Sequence, residues 1–241
     1  MAKHNDGWYR FVNWLVRNFF FGLVTGGLKV IDRENVPKSG AVIIAPIHVS
    51  HLDPPVTACA MPHRRLRFMA KEELFKGIFG KLIASLGAYP VHRGEGDTEA
   101  IRKSIDMLNQ EETLLVHPEG TRGDGVRMLP INKGVAMLAK RTGAPVVPVG
   151  IIGSSIVMPR GKGKKRRHRI TVVFGKPFTY AEVAEGVNDK QAREEFCRVL
   201  SERIRTLCND HGFSVLPPNE KSELDGDLGT KQDVATLKSS S

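Results

Sequence analysis

The sequence predicts one α/β domain, a largely parallel central sheet flanked by helices, with an amphipathic helical segment at its N-terminus. Three observations carry this. Short apolar, strand-like runs alternate along the chain with segments whose apolar residues fall at helical spacing. The run Val146 to Ile152 is apolar and β-branched enough to be a parallel strand buried on both faces. The chain has 241 residues, 41% apolar and 26% charged, which suits a single core and excludes a wholly disordered, collagen-like or polytopic membrane chain.

Taken in order, Trp8, Phe11, Val12, Leu15, Val16, Phe19, Phe20 and Leu23 line one face of an expected helix over Trp8 to Leu23, with Arg10, Asn13, Arg17 and Asn18 on the other. Its longest uncharged run, Asn18 to Leu28, has 11 residues, about half of what spans a bilayer. The interleaved arginines also exclude a secretory signal. Aromatic residues opposite a basic face suit a helix lying in a membrane interface, with Trp8, Phe11, Trp14, Leu15, Phe19 and Phe20 in contact. A helix packed on the domain's own core is the alternative. An apolar strand follows over Gly40 to Ala45, then a Pro/His/Asp segment and a helical stretch Pro55 to Met61. Arg64 to Ala70 alternates as a strand does, and Glu72 to Leu86 has helical spacing. Further expected elements are a strand Ala88 to Val91, a helix Asp97 to Asn109, a strand Thr113 to Val116 and a loop Pro118 to Leu129. A helix from Lys133 stops at Gly143, and the strand Val146 to Ile152 follows. A basic loop precedes a strand Ile170 to Phe174, and an amphipathic helix runs from Asp189 to Asn209. From about residue 216 the composition is polar and has little to bury, which reads as a disordered tail. The expected divisions are 1–29 for the interfacial segment, 30–215 for the domain and 216–241 for the tail.

The net charge is +10, from 36 basic against 26 acidic residues, and implies a polyanionic partner. Seven of the basic residues, including Arg166 and Arg167, lie between 160 and 169, so the basicity is mostly one patch. An anionic membrane surface fits it; a nucleic-acid module would show interleaved aromatics or a helix-turn-helix or zinc-finger pattern, and none is present. Cys59, Cys197 and Cys208 are an odd set without C-x-x-C spacing, which excludes a disulfide framework and a cysteine zinc site and suits a reducing compartment.

Phosphate-loop, dinucleotide, zincin and serine-elbow motifs are absent. Chemistry instead gathers at strand ends, where open α/β sheets bind ligands. In Ile47-His48-Val49-Ser50-His51-Leu52-Asp53, a turn lets the Asp53 carboxylate return to the His48 imidazole, fix its tautomer and support it as a general base. Two other readings stand beside this one, a metal site on His48, His51 and Asp53, and Asp53 as a helix N-cap. In Pro118-Glu119-Gly120-Thr121-Arg122-Gly123 the glycines permit close backbone approach and Arg122 offers a bidentate fork to a phosphate. The alternative here is a plain turn with Arg122 paired to Glu119. Lys71 and Arg93 add cations at two more strand ends.

These residues resemble the glycerolipid acyltransferases. His48 to Asp53 is similar to their H-x-x-x-x-D block, Gly87-Ala88-Tyr89-Pro90-Val91-His92-Arg93 to the second block, Pro118 to Arg122 to P-E-G-T-R, and Ala144-Pro145-Val146-Val147-Pro148-Val149 to the fourth; Lys71-Glu72-Glu73-Leu74 resembles the K-x-E-L segment. The blocks occur in the family's order over about residues 30 to 210, nearest the bacterial-type 1-acyl-sn-glycerol-3-phosphate acyltransferases. Two positions depart, Pro46-Ile47 where the family often has Asn before the histidine, and His117 where an aromatic usually precedes P-E-G-T-R. The resemblance implies acyl transfer from acyl-CoA or acyl-carrier protein to the 2-hydroxyl of lysophosphatidic acid, without metal or prosthetic group. His48 would be the base and Asp53 its orienter, Arg93, Arg122 and Lys71 the phosphate ligands, and Glu119, Gly120 and Thr121 the shapers of the acceptor site. The expected location is the cytoplasmic face of the cell membrane, peripheral or monotopic.

Overall fold

The computed structural model describes residues 6–91, 98–161 and 163–218. Seven strands, β1 (Leu28–Ile31), β2 (Val42–Pro46), β3 (Leu66–Lys71), β4 (Ala88–Val91), β5 (Thr113–Leu115), β6 (Val146–Ile152) and β7 (Ile170–Phe174), form one sheet in the order β1-β7-β6-β2-β5-β3-β4. Five of them, β6-β2-β5-β3-β4, are mutually parallel. β2 is buried along its whole length and β6 up to its last residue, as their unbroken apolar runs require.

The other two strands run the opposite way. β7 pairs antiparallel with β6, Ile152 facing Thr171, and β1 pairs parallel with β7. The connection from β6 to β7 contains only the short helix α6 (Ser154–Val157) and the basic loop. Without a full crossover helix the chain returns antiparallel. The basic loop therefore lies beyond the carboxyl end of β6, and the chain enters β1 at that same end.

The long helices match the sequence expectation closely: α4 (Thr98–Asn109), α5 (Lys133–Thr142) and α8 (Asp189–Asp210). α5 is capped by the Asn132 side chain and stopped by Gly143 at φ 66°, and α8 opens with a reciprocal Asn188–Gln191 capping box. α8 packs on β6 and β7 and touches α5 and the short α7 (Tyr180–Ala184), while α2 (Asp53–Ala60) packs against β1, β7 and α1 (Asp6–Leu15).

Four expectations are corrected. The N-terminal helix changes character at Val16, continuing to Val24 as a wider π-helix. The expected helix Glu72 to Leu86 is a 3₁₀ turn over Glu72–Phe75 and a separate α3 (Gly77–Ser85), broken where Lys76 is extended and Gly77 takes φ 64°. β1, α6 and α7 are too short to show a period and were not expected. The expected tail does not begin at 216: Leu216 accepts from Met128 N–H and donates to Val126 O, and Arg127 Nη1 donates to Pro217 O. Residues 219–241 lie outside the described residues.

α1 and its π-helical extension dock on the domain by one face. Asn13 and Arg17, expected opposite the apolar stripe, face the domain, and Val12, expected in the stripe, is buried beside them. Asn13 is buried and Arg17 Nη1 donates to Cys59 O at 3.2 Å. Tyr9, Val12 and Phe21 are buried with them, and Tyr9 Oη accepts from Leu66 N–H. Trp8, Phe11, Trp14, Leu15, Phe19, Phe20 and Leu23 are exposed. The helix docks by its mixed face and turns its apolar stripe outward.

Gly87 shows how closely β4 is approached. It has φ 106°, and a Cβ there would lie 2.2 Å from Leu66 O. Gly87→Ala should destabilise the protein by at least about 2 kcal/mol, lowering Tm by roughly 4–8 °C in a thermal melt; an unchanged Tm would contradict this packing.

Candidate active site

Three loops leave the carboxyl ends of neighbouring parallel strands: residues 47–52 after β2, the turn after Lys71 at the end of β3, and residues 116–132 after β5. The site is built on them. Asp53 opens α2, whose N-cap is Leu52, so Asp53 is not an N-cap. Its carboxylate turns back instead. Oδ2 accepts from Val49 N–H (2.8 Å), Ser50 N–H (2.7 Å) and His48 Nδ1 (3.1 Å), and Oδ1 accepts from Ser154 Oγ (2.7 Å). Asp53 is fully buried, while the His48 side chain keeps 17% of its surface. An acceptor at Nδ1 places the proton there and leaves Nε2 with its lone pair, as a general base needs.

The His48 backbone is clamped from the other loop. Its N–H donates to Glu119 Oε1 at 2.9 Å, and its carbonyl accepts from Gly123 N–H at 2.8 Å. Glu119 Oε2 accepts from Leu129 N–H at 2.9 Å. Burial raises the Glu119 carboxyl above its ordinary value, against the opposing effect of these two backbone donors. Glu119 is thus an internal brace that joins the histidine loop to the P-E-G-T-R loop. Because its oxygens are taken by backbone N–H groups, it does not pair with Arg122, and the plain-turn reading of that loop is set aside.

Arg122 is half-buried, Lys71 exposed, and among the described residues neither forms an ion pair. Partial desolvation, then the neighbouring Arg122 and His48 and, more weakly, Lys71, hold the His51 imidazole below the ordinary histidine value, against the opposing Asp53 carboxylate. Gly120, at φ 69°, and Thr121 are exposed at the tip of the loop. Arg93 lies outside the described residues. Nearby hydroxyls are committed elsewhere, Ser50 Oγ to Met158 O (2.9 Å) and Ser154 Oγ to Asp53. Neither of these two serines is free to act as a nucleophile, and the bare Nε2 of His48 can take a proton from a hydroxyl brought to it.

A scan of family models matches the acyltransferase family over residues 27–152. The chain belongs to the acyltransferase family. Among curated relatives, the 1-acyl-sn-glycerol-3-phosphate acyltransferase of Bacillus subtilis is 28% identical over 185 residues, covering 76% of this chain and 89% of that one. The human 1-acyl-sn-glycerol-3-phosphate acyltransferase beta is 30% identical over 144 residues, 57% of this chain and 50% of that one. The crystal structure of the 1-acyl-sn-glycerophosphate (LPA) acyltransferase PlsC of Thermotoga maritima has the same fold, with a TM-score of 0.69, 24% identity, and coverage of 88% of this chain and 85% of that one.

Two members of this acyltransferase's site escape sequence reasoning. Ser154 is one. It is fully buried and follows Gly153, whose φ of 88° turns the chain out of β6; a Cβ at Gly153 would lie 2.6 Å from His168 Cδ2. Nothing in its sequence neighbourhood marks it except position, one strand length after the fourth block. His117 is the other, noted only as a departure. Its ring stacks on His48 with centroids 3.7 Å apart and planes 16° apart. Burial and the neighbouring His48 hold it well below the ordinary histidine range, so it is neutral, a flat wall that fixes the ring beside it.

Ser154→Ala leaves one buried carboxylate oxygen without its donor, a loss of about 1.5–3 kcal/mol in holding Asp53 and roughly 10–100-fold in kcat; a fully active variant would remove Ser154 from the site. His117→Phe keeps the stack and removes no charge. The acid limb of its pH–rate profile should stay in place, whereas a charged His117 would have opposed protonation of His48, and its removal would move that limb to higher pH.

Proposed function

We propose that this acyltransferase transfers a fatty acyl group from acyl-CoA or acyl-carrier protein to the sn-2 hydroxyl of lysophosphatidic acid, forming phosphatidic acid. The reading is carried by one juxtaposition, an oriented His48–Asp53 dyad beside the cations Arg122 and Lys71, which form no ion pair among the described residues. The names of the relatives support the same acceptor. His48 Nε2 takes the proton of the acceptor hydroxyl as its oxygen attacks the thioester carbonyl carbon. The tetrahedral intermediate expels the thiolate, which recovers that proton from the imidazolium. Asp53 holds the tautomer and stabilises the imidazolium. Arg122 and Lys71, with Arg93 as a third candidate, bind the acceptor phosphate, and Gly120 and Thr121 shape the acceptor site. This chemistry is complete without a metal or prosthetic group.

The enzyme works at the cytoplasmic face of the cell membrane, held peripherally. Among the described residues no helix is long and apolar enough to cross a membrane. The outward stripe of α1 and its π-helical extension supplies an apolar contact. The basic loop supplies an electrostatic one, with Arg166 and Arg167 exposed and the Arg167 side chain against Gly26, just after the π-helix.

His48→Ala should lower kcat by about 10²–10⁴-fold in a phosphatidate-formation assay with labelled lysophosphatidate; retention of more than about a tenth of wild-type kcat would refute the base assignment. For the acceptor phosphate, Arg122→Ala should raise the acceptor KM by about 10–150-fold and spare the donor KM, with Arg122→Lys rescuing in part. A defect confined to the donor would place Arg122 on the donor side. For the membrane contact, replacing Phe11, Trp14 and Phe19 with serine should weaken binding to neutral phosphatidylcholine vesicles by at least about 100-fold without lowering Tm. Exchanging Lys164, Lys165, Arg166 and Arg167 for glutamine should remove most of the salt dependence of binding to phosphatidylglycerol vesicles. Unchanged vesicle binding in both variants would overturn the interfacial reading.

A further inference from the structure

α3 is packed inside out. Its sequence, Gly-Ile-Phe-Gly-Lys-Leu-Ile-Ala-Ser, carries a single charge and enough apolar bulk to bury against any core. Yet its one buried residue is Gly80. There the preceding turn passes so close that a Cβ would lie 2.0 Å from the Phe75 carbonyl carbon. The helix therefore folds onto its own preceding turn at its smallest residue and presents its largest ones: Ile78 is 88% exposed, Phe79 58% and Leu82 37%, with Leu74 of that turn also exposed. It is held in that attitude at its far end, where Arg65 Nη2 donates to Ser85 O at 2.7 Å and Trp8 Nε1 donates to Ser85 Oγ at 3.0 Å. An apolar patch held open to water costs free energy unless something covers it.

The Trp8–Ser85 bond makes this patch continuous with the outward stripe of α1, where Trp8, Phe11, Trp14 and Phe19 follow one another at ring-centroid spacings of 6.1, 6.4 and 6.3 Å. The charges on and immediately before α3 are Lys76 and Lys81 and, in the preceding turn, Glu72 and Glu73, all exposed. Aliphatic and aromatic tips flanked by lysines match the boundary of a bilayer, in which the tips enter the acyl region and the ammonium groups reach up to lipid phosphates, and the continuity with the α1 stripe rather than net charge selects that occupant. Resting on the reading of α1 as an interfacial helix, we infer that α3 is a second membrane-contacting element, with Ile78 and Phe79 inserted into a bilayer surface beside the α1 stripe. α3 follows Lys71 by one short turn, so this contact sets the carboxyl end of β3, and with it the edge of the acceptor site, against the bilayer.

The experiment uses the full chain with Ile78→Ser and Phe79→Ser combined, with wild type and the Phe11/Trp14/Phe19 serine variant alongside. Co-sedimentation is measured with vesicles of phosphatidylcholine and phosphatidylglycerol that contain no lysophospholipid or acyl thioester. The expected result is a partition coefficient lowered about tenfold or more in the α3 variant, with an unchanged thermal melt, because only solvent-exposed side chains were altered. Wild type that binds, with the α3 variant binding equally well, would overturn the inference and leave the α1 reading intact. Wild type that does not bind would overturn both. Sedimentation velocity in the absence of lipid tests the competing occupant: a wild-type dimer converted to monomer by the α3 substitutions, with vesicle binding unchanged, would show that a second copy covers this face and would refute the bilayer contact.

Discussion

One buried carboxylate organises the site. Asp53 receives donors from Val49, Ser50, His48 and Ser154, and those donors belong to the loop after β2 and to the short helix after β6. A carboxylate with no exposure is tolerated in a core only when its lone pairs are taken by donors. Folding the loop correctly and orienting the imidazole are therefore the same event: the bonds that make Asp53 acceptable inside the protein are the bonds that aim His48. Glu119 extends the logic across to the third loop, holding the His48 N–H and the Leu129 N–H together, while Gly123 holds the His48 carbonyl.

Chain topology then decides what surrounds that centre. Because the β6–β7 connection has no crossover helix, β7 returns antiparallel and β1 follows its direction, so the basic loop and the end of the π-helix meet at Gly26 and Gly27 beyond the carboxyl end of β6. α3 departs from the same end after β3. α1 with its π-helical extension docks through Tyr9, Asn13 and Arg17, α3 buries only Gly80, and both leave most of their bulky residues outside. For a water-soluble protein this arrangement is unfavourable. For the proposed transfer to a lysophospholipid acceptor it supplies the apolar and cationic surface that a bilayer would cover.

Much of this was legible in the residues. β2 and β6 are unbroken apolar runs bounded by Pro and Gly, and the His48/Asp53 and Pro118–Arg122 blocks stand at strand ends, where parallel sheets put chemistry. The orientation of α1 was not legible, since periodicity finds an apolar stripe without saying which face the rest of the fold accepts. Ser154 was invisible because a serine acquires meaning only when β6 brings it to Asp53, 101 positions away in the chain. His117 carried a signal, an unexpected histidine before P-E-G-T-R, but its stack on His48 required the two loops to be placed. The break at Gly77 was hidden by a helical pattern that runs through it. β1 has only four residues and is defined by its partner β7.

Nitrogen NMR of the full chain labelled with ¹⁵N-histidine tests most directly whether Asp53 fixes the tautomer of His48. At a pH where His48 is neutral, its proton should sit on Nδ1 with Nε2 bare, and Asp53→Asn should disturb that preference while the fold remains. A wild-type His48 protonated on Nε2, or a tautomer indifferent to Asp53→Asn, would contradict that role of Asp53.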